Sequence, residues 1–326
     1  MVPQGPFRLA RHNVIMLAQK PILCVVGPTA SGKTALAQVL ALHFDGEVVS
    51  ADSMQVYRGM DIGTGKIAKH DQVVPHHCLD IVDPGEPFSA ALFQDHARRS
   101  FADIEARGKT SVLCGGTGFY IRAAIDDYDF PKGEQIGNET RDRYNRIAQE
   151  HGNDELWALL WERDPESASI IPKNDTKRIV RAFELLDSAT SYAEQKKKLA
   201  CIPQLYPAIF IGLAVDPALL AKRIDKRVDM MAELGLVDEV KTLLDRGFRD
   251  GITSPQAIGY KEIVAFLDGT CSLPEALDAI KLATRRYAKR QRTWFRKDKR
   301  IHWVDANTFD LDAIANDSIN IVEKAI

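Results

Sequence analysis

Eight consecutive residues, Gly27-Pro28-Thr29-Ala30-Ser31-Gly32-Lys33-Thr34, constrain this chain more than any others because they fit the pattern GxxxxGK[ST] in full. The pattern also has its required setting. Ile22 to Val26 is a short, fully apolar run that reads as a buried parallel strand, and Ala35 to Phe44 reads as a helix. Glycines in such a loop let successive backbone N–H groups converge on phosphate oxygens, and the start of the helix adds positive potential. Lys33 supplies a mobile charge, and the Thr34 hydroxyl is of the type that ligates Mg²⁺. A phosphate compound is therefore expected at residues 27–34, though the loop does not say which.

The apolar pattern continues in the same style. Glu47 to Ser50 reads as a second strand ending at Ala51-Asp52-Ser53, and Ser89 caps a helix over Ala90 to Arg107 that Gly108 stops. Ser111 to Cys114 is a further strand, running into Gly115-Gly116-Thr117-Gly118. Beyond the linker-like Asp126-Asp127-Tyr128-Asp129, the stretch from Asn138 to Lys198 reads as charged helices without strand signal. Ala208 to Val215 restores a buried strand, and Asp216-Pro217 caps another helix. Asp216 also fits the spelling of a Mg²⁺-holding strand end, as in ATP-splitting P-loop enzymes, but the cap is the favoured role. The expected fold is α/β, a P-loop NTPase-like parallel sheet core with a helical insertion domain and C-terminal basic helices. Its expected boundaries are an N-terminal extension over 1–20, a core over 21–125 and 206–326, and an insertion over 126–205.

Charge is distributed unevenly. The chain carries a net −2, yet the stretch from Lys281 to Arg300 holds ten Lys or Arg and one acid, Asp298. That is +9 locally against −11 elsewhere, which points to a nucleic-acid partner. At helical spacing, Lys281, Arg285, Lys289, Arg292 and Arg296 form one cationic stripe, while Leu277, Ile280, Thr284, Tyr287, Gln291 and Phe295 form an inward face. Trp294 reads equally as core or as a stacking platform. No apolar run approaches the roughly 18 residues that span a bilayer, so no membrane association is expected. Five cysteines without CxxC pairing suggest a reducing, cytoplasmic setting. Arg8 and Arg11 precede only a short apolar stretch, which argues against a secretory signal. Zinc at His76-His77-Cys78 is disfavoured, because adjacent positions rarely converge on one ion.

Taken together, these residues resemble the tRNA dimethylallyltransferases (tRNA isopentenyltransferases) of bacterial type. The resemblance runs from Ile22 to about Arg296 and rests on GPTASGKT (27–34), DSMQVYRGMDIGTGK (52–66), PHHCLDIVDP (75–84), GGTGFY (115–120), NDTKRIVRAFELL (174–186), RIDKRVDMMAELGLVDEV (223–240), AIGYKE (257–262) and TRRYAKRQRTWFR (284–296). It implies that the loop over 27–34 holds the diphosphate of dimethylallyl diphosphate rather than ATP, with Mg²⁺ near Thr34. It implies that the acceptor is the exocyclic amine of the adenosine 3′ of the anticodon, and that Asp52 collects its proton. Lys33 and Arg227, with Arg223 beside it, would assist the diphosphate, and Thr117 would lie close to the reacting adenosine. Matching tRNA-contact segments are Asp52-Ser53-Met54-Gln55, Arg141, Lys177-Arg178-Ile179-Val180-Arg181 and Gln256-Ala257-Ile258-Gly259-Tyr260-Lys261. Arg285, Lys289 and Arg292 would meet the phosphates of the anticodon stem-loop. A monomer is expected. A P-loop small-molecule or nucleotide kinase is the alternative, and it would require ATP consumption.

Overall fold

The computed structural model describes residues 20–130, 139–308 and 310–326, so the expected N-terminal extension lies almost wholly outside the described residues, as does Asn138. The described residues form two compact units, one comprising the chain up to Asp126 together with Gln204–Ile326, the other Asp127–Pro203.

The first unit opens with β1 (Ile22–Val26), α1 (Lys33–His43), β2 (Gly46–Ser50) and β3 (His76–His77), followed by α2 (Ala90–Ala106), β4 (Thr110–Gly115) and α3 (Gly118–Ile125). The described elements of the second unit are all helices: α4 (Glu139–His151), α5 (Asn153–Arg163), α6 (Pro165–Ile170), α7 (Thr176–Asp187) and α8 (Tyr192–Ala200). The first unit then resumes with β5 (Ala208–Ala214), α9 (Pro217–Glu233), α10 (Leu236–Leu244), α11 (Tyr260–Leu267), α12 (Leu273–Phe295), β6 (Ile301–Asp305) and α13 (Leu311–Ala325).

Six strands make one sheet in the order β3-β2-β4-β1-β5-β6, every pairing parallel. Parallel pairing requires crossovers that cover both faces, and β1 accordingly alternates between two cores. Ile22, Cys24 and Val26 pack in one hydrophobic cluster, Leu23 and Val25 in the other with Leu36 and Leu40 of α1. The strand ends converge where β1 leads into residues 27–34 and β2 into Asp52, the edge at which open α/β sheets assemble their sites.

Three elements lie beyond the expected pattern. β3 has only two residues, too few to show a period. β6 follows the basic run and buries only Ile301 and Val304 well, while α13 is capped by Asp310, whose carboxylate accepts from the Ala313 N–H at 3.1 Å. Arg300 anchors the turn between α12 and β6. It pairs with Asp126 and Asp298 and lies over the Phe210 ring at 4.4 Å, so the last cation of the basic stretch serves the core.

The helical unit has its own core, in which Tyr144 stacks on Phe183 with centroids 3.7 Å apart beside Leu156, Leu160, Ile179 and Val180. Glu184 is buried there and accepts from Arg141 at 2.6 Å and Arg181 at 2.9 Å. Those two arginines hold the carboxyl below its ordinary range although burial pushes it the other way.

Candidate active site

The loop between β1 and α1 has the backbone of a phosphate cradle. Gly32 is left-handed at φ +94° and forms the N-cap of α1 without any side-chain cap, so the first N–H groups of the helix are not claimed by a cap. Ala30 is also left-handed at φ +61°, a conformation that costs a non-glycine residue about 1 kcal/mol and clusters at functional sites. Ser31 Oγ and Lys33 Nζ both donate to the Pro28 carbonyl, at 2.8 and 2.6 Å, bending the loop back on itself. Enclosure lowers the Lys33 pKa to about 8, with Cys114 and Asp52 acting in the opposite sense.

Two cavities meet beside this loop. The smaller, about 60 Å³, is lined by Lys33 and Thr34 and reaches Gln55, His76 and Cys114. The larger, about 460 Å³, has an apolar wall of Ile224, Val228, Met231 and Ile280 and a polar rim that includes Lys261, Arg286 and Arg290. Thr29, Asp52, Thr64 and Arg227 line both. Asp52 therefore stands at the junction of a cationic phosphate cradle and a roomier, mixed cavity.

Local hydrogen bonds hold that junction. Asp52 Oδ1 accepts from the Met54 N–H at 2.9 Å, which fixes the turn after β2. Thr117 Oγ1 accepts from the Ser53 N–H at 3.2 Å, and the Tyr287 hydroxyl lies near Thr117. Arg227 donates to the Thr64 carbonyl at 3.1 Å, and burial lowers its pKa while Asp52 opposes the change. The loop bearing Thr64 is fixed in turn by Glu239, whose carboxylate accepts from the N–H groups of Asp61, Ile62 and Gly63 and from the Tyr260 hydroxyl.

A model of the IPP transferase family matches residues 55–298. The chain belongs to that family. The related isopentenyl transferase model matches residues 20–73, covering the phosphate cradle. Among curated relatives of this IPP transferase, the tRNA dimethylallyltransferase of Bacillus velezensis is 44% identical over 88% of this chain and 91% of its own. That of Bacillus subtilis is 43% identical over 88% and 91%. Among solved structures, the tRNA delta(2)-isopentenylpyrophosphate transferase of Staphylococcus epidermidis superposes with a TM-score of 0.69 at 37% identity, covering 94% of this chain and 100% of that one. A eukaryotic dimethylallyltransferase acting on tRNA gives a TM-score of 0.77 at 28% identity, over 92% of this chain and 78% of that one.

Not every expected site residue of this IPP transferase reaches the cavities. Lys33, Thr34, Asp52, Gln55 and Arg227 line one or both, as do Ser53, Met54, Gln256, Ala257, Ile258 and Lys261. Arg223 does not reach either. Its guanidinium donates to the carbonyls of Ala306 and Asn307 at 3.0 and 2.8 Å and so braces the end of β6. Ile179, Val180 and Tyr260 are corrected, because their side chains are core and cannot touch an RNA. Lys177 and Arg178 are exposed on α7, whereas Arg141 and Arg181 share Glu184. Gly259 is buried and donates its N–H to Glu262.

The cationic stripe needs the largest correction. Lys281 pairs with Asp229 at 2.6 Å and Arg285 with Asp225 at 2.9 Å, so its first two members are spent on α9. Lys289, Arg292 and Arg296 line a separate groove beside Leu220 and Ala221. The cations that α12 presents to the larger cavity are instead Arg286 and Arg290, which the spacing argument passed over because it chose the neighbouring register of the same helix. Trp294 is neither core nor free. It is 44% exposed, and a Cβ on Gly118 would stand 2.1 Å from its ring, so it lies against the start of α3.

His76 and Gln291 are functional candidates to which the sequence assigns no role in the site, although they lie in the segments 75–84 and 284–296 that carry the resemblance. The His76 Nε2 is buried without a hydrogen-bond partner at the small cavity, and burial lowers its pKa to about 4, leaving a neutral imidazole. His77, the next residue, instead bonds Glu47 at 2.7 Å. Among the described residues no group of three His, Cys, Asp or Glu could hold a metal ion.

Proposed function

We propose that this chain transfers the dimethylallyl group of dimethylallyl diphosphate to the exocyclic amine of the adenosine 3′ of the anticodon in tRNA, releasing diphosphate. One observation carries the reading: Asp52 lines both the phosphate cradle and the larger cavity, where a leaving group and an acceptor would face each other. The bond that breaks joins the allylic carbon to the diphosphate oxygen, and the bond that forms joins that carbon to the amine nitrogen. An adenine amine is a poor nucleophile because its lone pair is delocalised into the ring. It becomes acidic only as the new bond forms, and Asp52 then takes the proton, a role that contributes roughly 10²–10⁴-fold.

Charge developing on the diphosphate is met by Lys33, the loop N–H groups and Arg227. The small cavity also suits Mg²⁺, since Thr34 and Asp52 present oxygens there and this ion commonly combines one or two protein oxygens with substrate phosphates. When bound, Mg²⁺ neutralises charge on the leaving diphosphate. The larger cavity takes the adenine, extruded from a single-stranded loop where unstacking is inexpensive, with Arg286, Arg290 and Lys261 at its rim. No described helix is long and apolar enough to cross a membrane.

Incubation with labelled dimethylallyl diphosphate, Mg²⁺ and bulk tRNA, followed by digestion, tests the reading. A prenylated adenosine as the labelled nucleoside is the expected product. Indifference to allylic donors together with consumption of ATP would overturn it.

A further inference from the structure

Gln291 lies 262 positions along the chain from Thr29, yet its side-chain oxygen accepts the Thr29 N–H at 2.9 Å. The same amide donates through Nε2 to the Gly116 carbonyl, also at 2.9 Å. We infer that Gln291 is a positioning residue of the transfer reaction, setting the separation between the phosphate cradle and the acceptor-side loop and tying both to α12. The inference rests on the transferase reading above.

Three features support it. Gln291 is only 5% exposed, and a buried amide with both ends engaged has one orientation available. Gly116 has to be glycine for the approach, since a Cβ there would stand 2.2 Å from Gln291 Nε2. One turn earlier on α12, the Tyr287 hydroxyl lies near Thr117, the residue after Gly116, and burial pushes its pKa up to about 12, so it stays a neutral hydroxyl. Thr117 in turn accepts from Ser53, next to Asp52. A continuous set of contacts thus runs from the cradle at Thr29, through Gln291 and Gly116-Thr117, to the turn bearing Asp52.

The chemistry explains why such a brace matters. Attack on an allylic carbon needs nitrogen, carbon and leaving oxygen aligned, with reacting atoms roughly 3–3.5 Å apart, and a displacement of about 1 Å can cost on the order of 10²-fold. The leaving group is held by one loop and the proton acceptor by another. Neither loop bonds directly to the other through Thr29; Gln291 sets that spacing. Glutamine alone offers a donor and an acceptor on one planar group of this reach. Glutamate keeps the acceptor and loses the donor, and methionine keeps the length and loses both.

The test compares wild type with Gln291→Met and Gln291→Glu, each assayed with dimethylallyl diphosphate and tRNA at saturation. Affinities for inorganic diphosphate and for tRNA are measured separately, and thermal melting follows folding. For Gln291→Met the expected result is a tenfold or greater loss of kcat with both affinities within threefold of wild type, and for Gln291→Glu a smaller loss of kcat. A Met variant turning over within twofold of wild type overturns the inference, as does one whose affinities fall as far as its turnover. If the Met variant melts below assay temperature, the Glu variant decides, and its turnover within twofold of wild type is the overturning result. Wild-type protein that transfers nothing overturns the transferase reading and the inference with it, whereas an active wild type beside an equally active variant overturns the inference alone.

Discussion

Arg227 occupies the space in which a side chain on residue 65 would lie, since a Cβ on Gly65 would stand 1.7 Å from its Nη2. Gly65 is also left-handed at φ +59°, so an alanine there is strained as well as crowded. Gly65→Ala is expected to displace the guanidinium and lower kcat/KM for the donor at least tenfold. Steady-state kinetics check this, with a melting curve to show that the variant folds.

Asp52→Ala tests the proton acceptor. Turnover is expected to fall by roughly 10²–10⁴ while tRNA affinity stays within a few-fold. Single-turnover prenylation and filter binding separate the two, and unchanged turnover would remove Asp52 from its assigned role.

Arg227 and Arg223 lie four residues apart on α9 and have different tasks, so their alanine variants should diverge. Arg227→Ala is expected to lower donor kcat/KM by roughly 10²-fold, the scale of losing one donor to developing charge. Arg223→Ala is expected to leave donor kinetics within threefold and lower the melting temperature, because it frees the carbonyls of Ala306 and Asn307. Calorimetric melting and donor titration distinguish the two.

Lys33 predicts a pH dependence. Its pKa in the free protein is lowered to about 8, so above that value the cradle increasingly holds an uncharged amine. Diphosphate affinity is expected to weaken as pH rises through about 8, by at most about tenfold per pH unit for one group. The same shift acts oppositely on stability. Between about pH 8 and the ordinary lysine range the unfolded chain binds a proton that the folded chain has released, so this residue's contribution to stability rises with pH across that window. Titration calorimetry with inorganic diphosphate and melting over the same pH series measure both signs.

The register of α12 gives a salt test. Arg286→Ala and Arg290→Ala should each reduce the slope of log affinity against log salt for tRNA by about one counterion. Arg285→Ala should leave that slope unchanged, since Arg285 is already paired with Asp225. Equal slopes for all three variants would refute the assignment of Arg286 and Arg290.

Local sequence determined much of this protein. The residues from Gly27 to Thr34 specify their loop because glycines at 27 and 32, followed by Lys33 and Thr34, favour one conformation between a buried strand and a helix. Asp216 specifies the start of α9 by accepting from Ala218 and Leu219, as its position before Pro217 implied. These are interactions within a few residues, and spacing along the chain reveals them.

Tertiary structure alone decided which of two adjacent registers of α12 meets the cavity, because that depends on Asp225 and Asp229 of a different helix claiming Arg285 and Lys281. It also placed His76 at the cradle and brought Gln291 onto Thr29 and Gly116. Spacing turns Gln291 inward but does not name its partners, which come from the β1 and β4 loops more than 170 residues away. A hydrogen bond between distant segments exists only once a parallel sheet has set their ends side by side, and no local pattern can record that.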